Sequence, residues 1–283
     1  MGSATQPSEY RLKVLNKIKE LERMGRFDLD VEDDPPFDKL KNGEVDYSRR
    51  RLKSKFNAWL ATKYSNYFFG KKIKKKEVII DDIIGIENLK SLKTGAVLTQ
   101  NHFSPFDGIP IHTVMNHHFK KKKLYTIIRE GNYRFPGLFG FFMRNCNTIP
   151  LASNYELIKQ MKQTIEDILK DGQFLLVYAE QSMWWNYRKP KPIKQGAANF
   201  AVHSHVPLVP MFITMRDSEQ YDGEGLKIQR YTLHILKPIY PDPLKSEKEN
   251  IHMMVETNEK MWRQCYEENY QIPLTYETEE ISS

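Results

Sequence analysis

Cysteine is scarce in this chain, with only Cys146 and Cys265 in 283 residues. Two cysteines give no disulfide framework, so the fold has to rest on a buried core, and a reducing compartment is the expected setting. Long apolar runs are missing too. No stretch approaches the roughly 18 apolar residues needed to cross a bilayer, which argues against a membrane-spanning chain. Met1 to Lys19 lacks an apolar signal core, and Gln6 stands where a myristoylation pattern wants Ser or Thr. The expectation is a cytoplasmic chain without a transmembrane helix. The sequence also has no glycine-rich phosphate loop of the nucleotide-binding kind and no Gly-x-Ser-x-Gly elbow. His112, His117, His118, His203 and His205 show no recognised zinc spacing. Neither a metal nor a resident cofactor is expected.

What is present suits a folded domain. Hydrophobic residues make up 40% and charged residues 28% of the chain, too apolar for disorder, and the length allows one large core with a smaller appendage. The net charge of +7 is concentrated. Between Arg49 and Lys76 stand eleven basic residues and no acidic one; the rest of the chain holds 32 basic against 36 acidic, a balance of −4. A single basic segment on a mildly acidic protein points to a local electrostatic contact.

Leu12, Leu15, Ile18, Leu21 and Met24 recur every third residue and predict a helix over 10–25. Asp28 to Asp46 is acidic, is broken by Pro35-Pro36, and reads as a loop or linker. Over 47–69, Leu52, Phe56, Trp59, Leu60, Tyr64, Tyr67 and Phe68 trace one helical face, with Gly70 as a C-cap. Arg49, Arg50 and Arg51 precede this face, and Lys71, Lys72, Lys74, Lys75 and Lys76 follow it. An aromatic face between basic flanks is what an interfacial helix on an anionic membrane needs, and each basic residue there is worth about 1 kcal/mol. Phe56 and Trp59 would enter the lipid. The same segment also suits a helix packed on the domain, or a nucleic-acid contact, although no base-reading motif accompanies it.

From Glu77 the pattern changes to strands alternating with helices. Strands are expected near 78–84, 96–100, 124–128, 148–151, 173–179, 207–214 and 227–237. Helices are expected near 108–118, 155–170, 195–205 and 251–270, and a turn or short helix over 135–143. This is an α/β fold, a sheet covered on both faces. The expected organisation is 1–46 as N-terminal helix and linker, 47–76 as basic helix and 77–283 as the α/β domain.

One block carries chemistry. Asn101-His102-Phe103-Ser104-Pro105-Phe106-Asp107 directly follows Ala96 to Gln100, which reads as a short buried strand. That places His102 at the carboxyl end of a strand, where α/β folds build their sites. Histidine takes a proton near neutral pH, and a carboxylate on its far nitrogen fixes the tautomer and stabilises the imidazolium. The plainer alternative is that Asp107 or Ser104 only caps the following helix.

Three further blocks follow in order: Val177-Tyr178-Ala179-Glu180-Gln181-Ser182, Lys194-Gln195-Gly196-Ala197-Ala198, and Val206-Pro207-Leu208-Val209-Pro210. Together with Asn-His-x-x-x-x-Asp, they resemble the signatures of the glycerolipid acyltransferases, the family of the 1-acyl-glycerol-3-phosphate acyltransferases, across roughly Val78 to Thr214. That resemblance implies a mixed, largely parallel sheet flanked by helices, with an N-terminal amphipathic segment against the membrane. It implies direct transfer of an acyl group from an acyl-CoA or acyl carrier protein thioester to a lysophospholipid hydroxyl, by default that of lysophosphatidate. His102 would be the base and Asp107 its orienter, with a nearby backbone N–H for the oxyanion. Asn101, Glu180, Gln181, Ser182, Arg188, Lys194 and Gly196 would belong to the substrate pocket.

The chain departs from the family pattern. The third signature usually reads Phe-Pro-Glu-Gly-Thr-Arg, its arginine binding the acceptor's phosphate; here Met183 takes the arginine's place and Gln181 the glycine's. The second signature's basic residue has only Arg144 as a substitute. Arg188, Lys189 or Lys191 would have to supply a phosphate contact from a longer loop. Alternatively the acceptor lacks a phosphomonoester, as a glycolipid does, and Trp184, Trp185 and Tyr187 contact it or simply pack in the core. A non-catalytic lipid-binding protein of the same fold and a thioester hydrolase are the remaining alternatives. An acyl-transfer assay with and without lysolipids separates them.

Overall fold

The structure, a computed structural model, describes residues 6–33, 36–49 and 51–278. Arg50 of the basic segment and Pro35 of the expected loop break lie outside the described residues. In chain order the elements are α1 (Glu9–Arg23), α2 (Leu52–Lys74), β1 (Ile79–Ile84), α3 (Ile86–Lys90), β2 (Ala96–Thr99), α4 (Ile109–His118) and β3 (Leu124–Ile128). There follow α5 (Glu130–Tyr133), α6 (Gly137–Asn145), β4 (Thr148–Pro150), α7 (Tyr155–Lys170), β5 (Phe174–Val177), α8 (Gly196–His203), β6 (Leu208–Tyr221), β7 (Lys227–Ile235) and α9 (Glu247–Tyr270). The short helices α3 and α5 carry no apolar period and were not expected.

The seven strands form one sheet in the order β1-β7-β6-β2-β5-β3-β4. Only β6 and β7 pair antiparallel; every other neighbouring pair is parallel. The sheet is thus mixed and mostly parallel, flanked by helices. β2 and β5 lie at its centre, and every residue of both is buried. Their alternate residues serve opposite faces. Val97 and Leu175 pack under α7, α8 and α9 with Leu157, Ala201 and Met254. Leu98 and Leu176 pack on the other side with Leu89, Ile111 and Val114. A close approach fixes the entry to β2, where a Cβ on Gly95 would lie 2.3 Å from the Leu169 carbonyl oxygen, so only glycine fits.

Two local expectations are corrected. Gly70 does not cap α2; the helix runs through it to Lys74, because Phe69 and Ile73 pack on the sheet-side core and carry the backbone past the glycine. The helix also starts at Leu52 rather than 47, since Tyr47 is buried with its hydroxyl donating to the Pro150 carbonyl. The acidic stretch 28–46 is packed rather than a free linker. Val31, Leu40 and Val45 are buried, and the Leu40 N–H donates to Glu130. Along α1, Val14, Ile18 and Leu21 pack against Val31 and Trp184, so the N-terminal helix covers the loop that follows Glu180.

Candidate active site

β2 ends at Thr99, and its direction is prolonged by a side chain. Asn101 donates from Nδ2 to the Ile213 carbonyl (3.0 Å) and accepts from the Ile213 N–H (2.8 Å), substituting for a peptide against β6. The chain then turns, and Asp107, 1% exposed, gathers the turn around its carboxylate. Oδ2 lies 2.8 Å from His102 Nδ1 and accepts the N–H groups of Phe103 (2.9 Å) and Ser104 (3.1 Å). Oδ1 accepts the Tyr178 hydroxyl at 2.8 Å. This carboxylate faces the turn, not a helix end: α4 starts from Gly108 with no side-chain cap, which corrects the capping alternative for Asp107 and Ser104.

With Nδ1 committed to Asp107, His102 is left with Nε2, which has no hydrogen-bond partner among the described residues. The side chain is 24% exposed, and its ring stacks on Tyr178 with centroids 4.0 Å apart. A histidine with one nitrogen tied to a buried carboxylate and the other facing an accessible surface is set up to take a proton from a substrate hydroxyl.

The third block approaches from the end of β5, parallel to β2. Glu180, 2% exposed, accepts the His102 N–H at Oε2 (3.1 Å) and the Lys191 N–H at Oε1 (2.8 Å). Trp184 N–H donates to the His102 carbonyl and Asn186 N–H to that of Phe103, so the two loops are joined by backbone as well as side chain. Glu180 therefore holds the histidine loop from beneath. Its counter-ion is Lys191, 1% exposed, with Nζ 3.6 Å from Glu180 Oε2 and bonded to the Ser182 carbonyl and hydroxyl. Burial pushes the Glu180 carboxyl up and the Lys191 ammonium down to about 8. The backbone N–H groups of His102, Phe103 and Ser104 are all engaged, so none of these three is an oxyanion donor as the loop stands.

The other expected pocket residues are spread more widely. Ser182 is buried, with its hydroxyl donating to the Phe27 carbonyl. Gln181 is exposed, and its φ of 64° is left-handed, the conformation that suits the glycine the family pattern has there. Lys194 is exposed, its N–H bonded to Ala179. Gly196 opens α8, and a Cβ there would meet nothing within 4 Å. Arg188 pairs with Asp217 and Gln229, and Lys189 with Glu22. Trp184 is fully buried, with Nε1 donating to Leu29. Trp185 lies under Arg11, and Tyr187 meets Trp184 edge-on. These aromatics are core, packed on the N-terminal segment. Arg144 is spent on the Tyr133 and Phe135 carbonyls. Tyr178, within the Val177 to Ser182 block, carries no signal of its own in the sequence, yet it contacts both Asp107 and His102. The sequence reading also misses Arg129, just beyond β3, which pairs with Asp30 and reaches toward the Gln181 carbonyl; its position at a strand's carboxyl end was the available signal.

Of the basic segment, Arg49 is not on the helix face. Its guanidinium bonds the carbonyls of Asn145 and Thr148, because it ties the approach to α2 onto the turn between α6 and β4. Arg51, Lys71, Lys74, Lys75 and Lys76 are exposed, as are Phe56 (60%) and Trp59 (53%). Lys72 pairs with Glu77 and lies 4.7 Å from the Phe106 ring, so α2 touches the histidine loop directly. No helix among the described residues is long and apolar enough to cross a membrane. Nor does any group of three His, Cys, Asp or Glu side chains among them stand where it could hold a metal ion.

A histidine and a carboxylate in contact at the carboxyl end of a central parallel strand are the arrangement that general-base chemistry on an α/β fold would use. Residues 82–214 match the family model described as Acyltransferase. The fold is similar to that of the 1-acyl-sn-glycerophosphate (LPA) acyltransferase PlsC from Thermotoga maritima. The likeness covers 80% of this chain and 85% of that one, with a TM-score of 0.50 and 17% identity. No curated protein matches the sequence. The matched segment contains the His102–Asp107, Glu180 and Lys194 blocks, so the chain carries an acyltransferase domain on a fold similar to that of PlsC.

Proposed function

We propose that the protein is a membrane-surface O-acyltransferase that moves a fatty acyl group from a thioester, on CoA or acyl carrier protein, to a lysophospholipid hydroxyl. The observation that carries this reading is the 2.8 Å contact between His102 Nδ1 and Asp107, which leaves Nε2 as the open nitrogen. His102 Nε2 takes the hydroxyl proton as the oxygen attacks the thioester carbonyl. The tetrahedral intermediate expels the thiolate, which receives that proton from His102. Asp107 stabilises the imidazolium between the two steps. No acyl-enzyme is required, since binding donor and acceptor side by side supplies the proximity.

α2 supports the membrane part of this reading, with exposed Phe56, Trp59 and Tyr67 beside exposed lysines, on a helix that contacts the histidine loop. The default acceptor is lysophosphatidate. An acceptor without a phosphomonoester, such as a glycolipid, is favoured by one specific observation: Arg188, Lys189 and Lys191 are all paired with protein groups, and Met183 is uncharged. The test is a lysolipid acceptor panel read by mass spectrometry, with His102→Ala alongside. General-base catalysis is worth about 10²–10⁴-fold, so His102→Ala loses at least two orders of magnitude of transfer while still floating with anionic vesicles. Full transfer by that variant would refute the mechanism.

A further inference from the structure

Tyr178 occupies a position no transfer step requires, yet it is built into the histidine–aspartate pair from two sides. Its hydroxyl donates to Asp107 Oδ1 at 2.8 Å, on the carboxylate oxygen that His102 does not use. Its ring lies under the His102 imidazole, centroids 4.0 Å apart and planes 24° apart. A recess accommodates the hydroxyl, because Gly108 has no side chain there and a Cβ would come 3.1 Å from the Tyr178 oxygen. Gly108 has ordinary right-handed helical angles (φ −75°, ψ −13°), so its backbone gives no reason for glycine and the recess does. The phenol stays protonated, since burial and the adjacent carboxylate hold its ionisation well above the usual tyrosine value.

We propose that Tyr178 is a positioning residue of the transfer reaction: its hydroxyl fixes the free oxygen of Asp107 while its ring floors the His102 imidazole, so one side chain sets both the orientation and the basicity of the general base. This rests on the reading of His102 as that base. The hydroxyl shares Asp107's negative charge with the imidazole. Without it the carboxylate binds the imidazolium more tightly, and His102 holds its proton to higher pH. The ring keeps the imidazole plane in line and offers a π-face to the cation formed after proton abstraction. The other ionisable groups around this loop are Glu180 with Lys191 beneath His102, Tyr231 on β7 near Ser104, and His112 on α4 near Gly108. None of them is altered by the changes below.

The test is Tyr178→Phe, which removes one oxygen and keeps the ring, measured by NMR titration of the His102 ring in the full chain and by the pH profile of kcat/KM. The expected result is an upward move of the His102 midpoint by roughly half to one pH unit, with the acidic limb of kcat/KM moving equally and the alkaline plateau kept. Gly108→Ala crowds the same oxygen and should shift the midpoint in the wild type but not in the Tyr178→Phe background. A His102 midpoint unchanged or lowered in Tyr178→Phe, in a protein that unfolds at the wild-type denaturant concentration, overturns the proposal, as does an equal Gly108→Ala shift in both backgrounds. The titration needs no turnover. Failure of the general-base reading appears instead as retained transfer in His102→Ala, so the two failures are separable.

Discussion

Replacing Lys191 by methionine should reveal what holds the histidine loop in place. Lys191 and Glu180 are 1% and 2% exposed, so the charge left behind cannot turn to water. The ammonium now meets the Ser182 carbonyl at 2.6 Å, the Ser182 hydroxyl at 2.7 Å and Glu180 at 3.6 Å. After Lys191→Met the carboxylate keeps two backbone donors, His102 and Lys191 N–H, but no counter-charge. Removing one partner of a buried pair costs about 3–5 kcal/mol, a large part of the roughly 5–15 kcal/mol that holds a domain folded. The loss has a pH signature. Burial already raises the Glu180 carboxyl, and losing Lys191 raises it further. A carboxyl raised in the folded state destabilises as pH climbs from its unfolded value through its folded one, at about 1.4 kcal/mol per unit. The variant should therefore approach wild type near pH 5 and fall furthest below it near pH 8. Glu180→Gln in the same chain removes the buried charge; the double variant should recover at least half the loss and lose the pH dependence. Urea unfolding followed by circular dichroism across pH 5 to 8 measures all of this. A loss under about 1 kcal/mol at pH 8, or one that does not shrink toward acid, refutes the reasoning.

Three further outcomes are expected. Burial against Phe69 pushes His112 down to about 4, so it stays neutral in the folded protein while the unfolded chain takes a proton below about pH 6.5. That contribution is full above pH 6.5 and is lost as pH falls toward 4, by about 2 kcal/mol after discounting for partial exposure; His112→Leu should flatten this part of the stability–pH curve relative to wild type. Gln181→Gly relieves a left-handed φ of 64° and should be neutral or stabilise by up to about 1 kcal/mol in thermal unfolding; a clear loss would show that the Gln181 side chain makes an essential contact. Phe56→Ser with Trp59→Ser in the full chain should weaken flotation with anionic vesicles at least tenfold, since each exposed aromatic is worth about 2 kcal/mol on insertion, with the unfolding midpoint unchanged. Undiminished flotation would remove α2 from the membrane reading.

The α/β order was legible because its elements announce themselves. α7 has an unbroken apolar period and an asparagine cap, β5 is apolar at every position, and β2 is apolar from Ala96 to Leu98. The candidate pair was legible for the same local reason: a five-residue separation just after a strand lets one tight turn bring His102 and Asp107 together. α2 was read by its face but not by its end, because Phe69 and Ile73 find partners in the distant sheet, and that packing outweighs Gly70. The acidic stretch 28–46 looked like a linker because its few apolar residues show no period; they are buried one at a time against elements far along the chain.

The sequence by itself determined the candidate histidine and carboxylate, the strand they follow and the likeness to an acyltransferase domain, since each is written in neighbouring residues. Tertiary structure alone decided what each remaining polar group does. It took Arg49, Arg188 and Lys189 out of reach as free cations by pairing them. It buried Lys191 against Glu180, and brought Tyr178 beneath His102 from 76 residues away in the chain. The physical reason is that a buried charge or hydroxyl must find a partner, and the partner is chosen by which strands lie side by side, in a sheet whose order the sequence does not spell out.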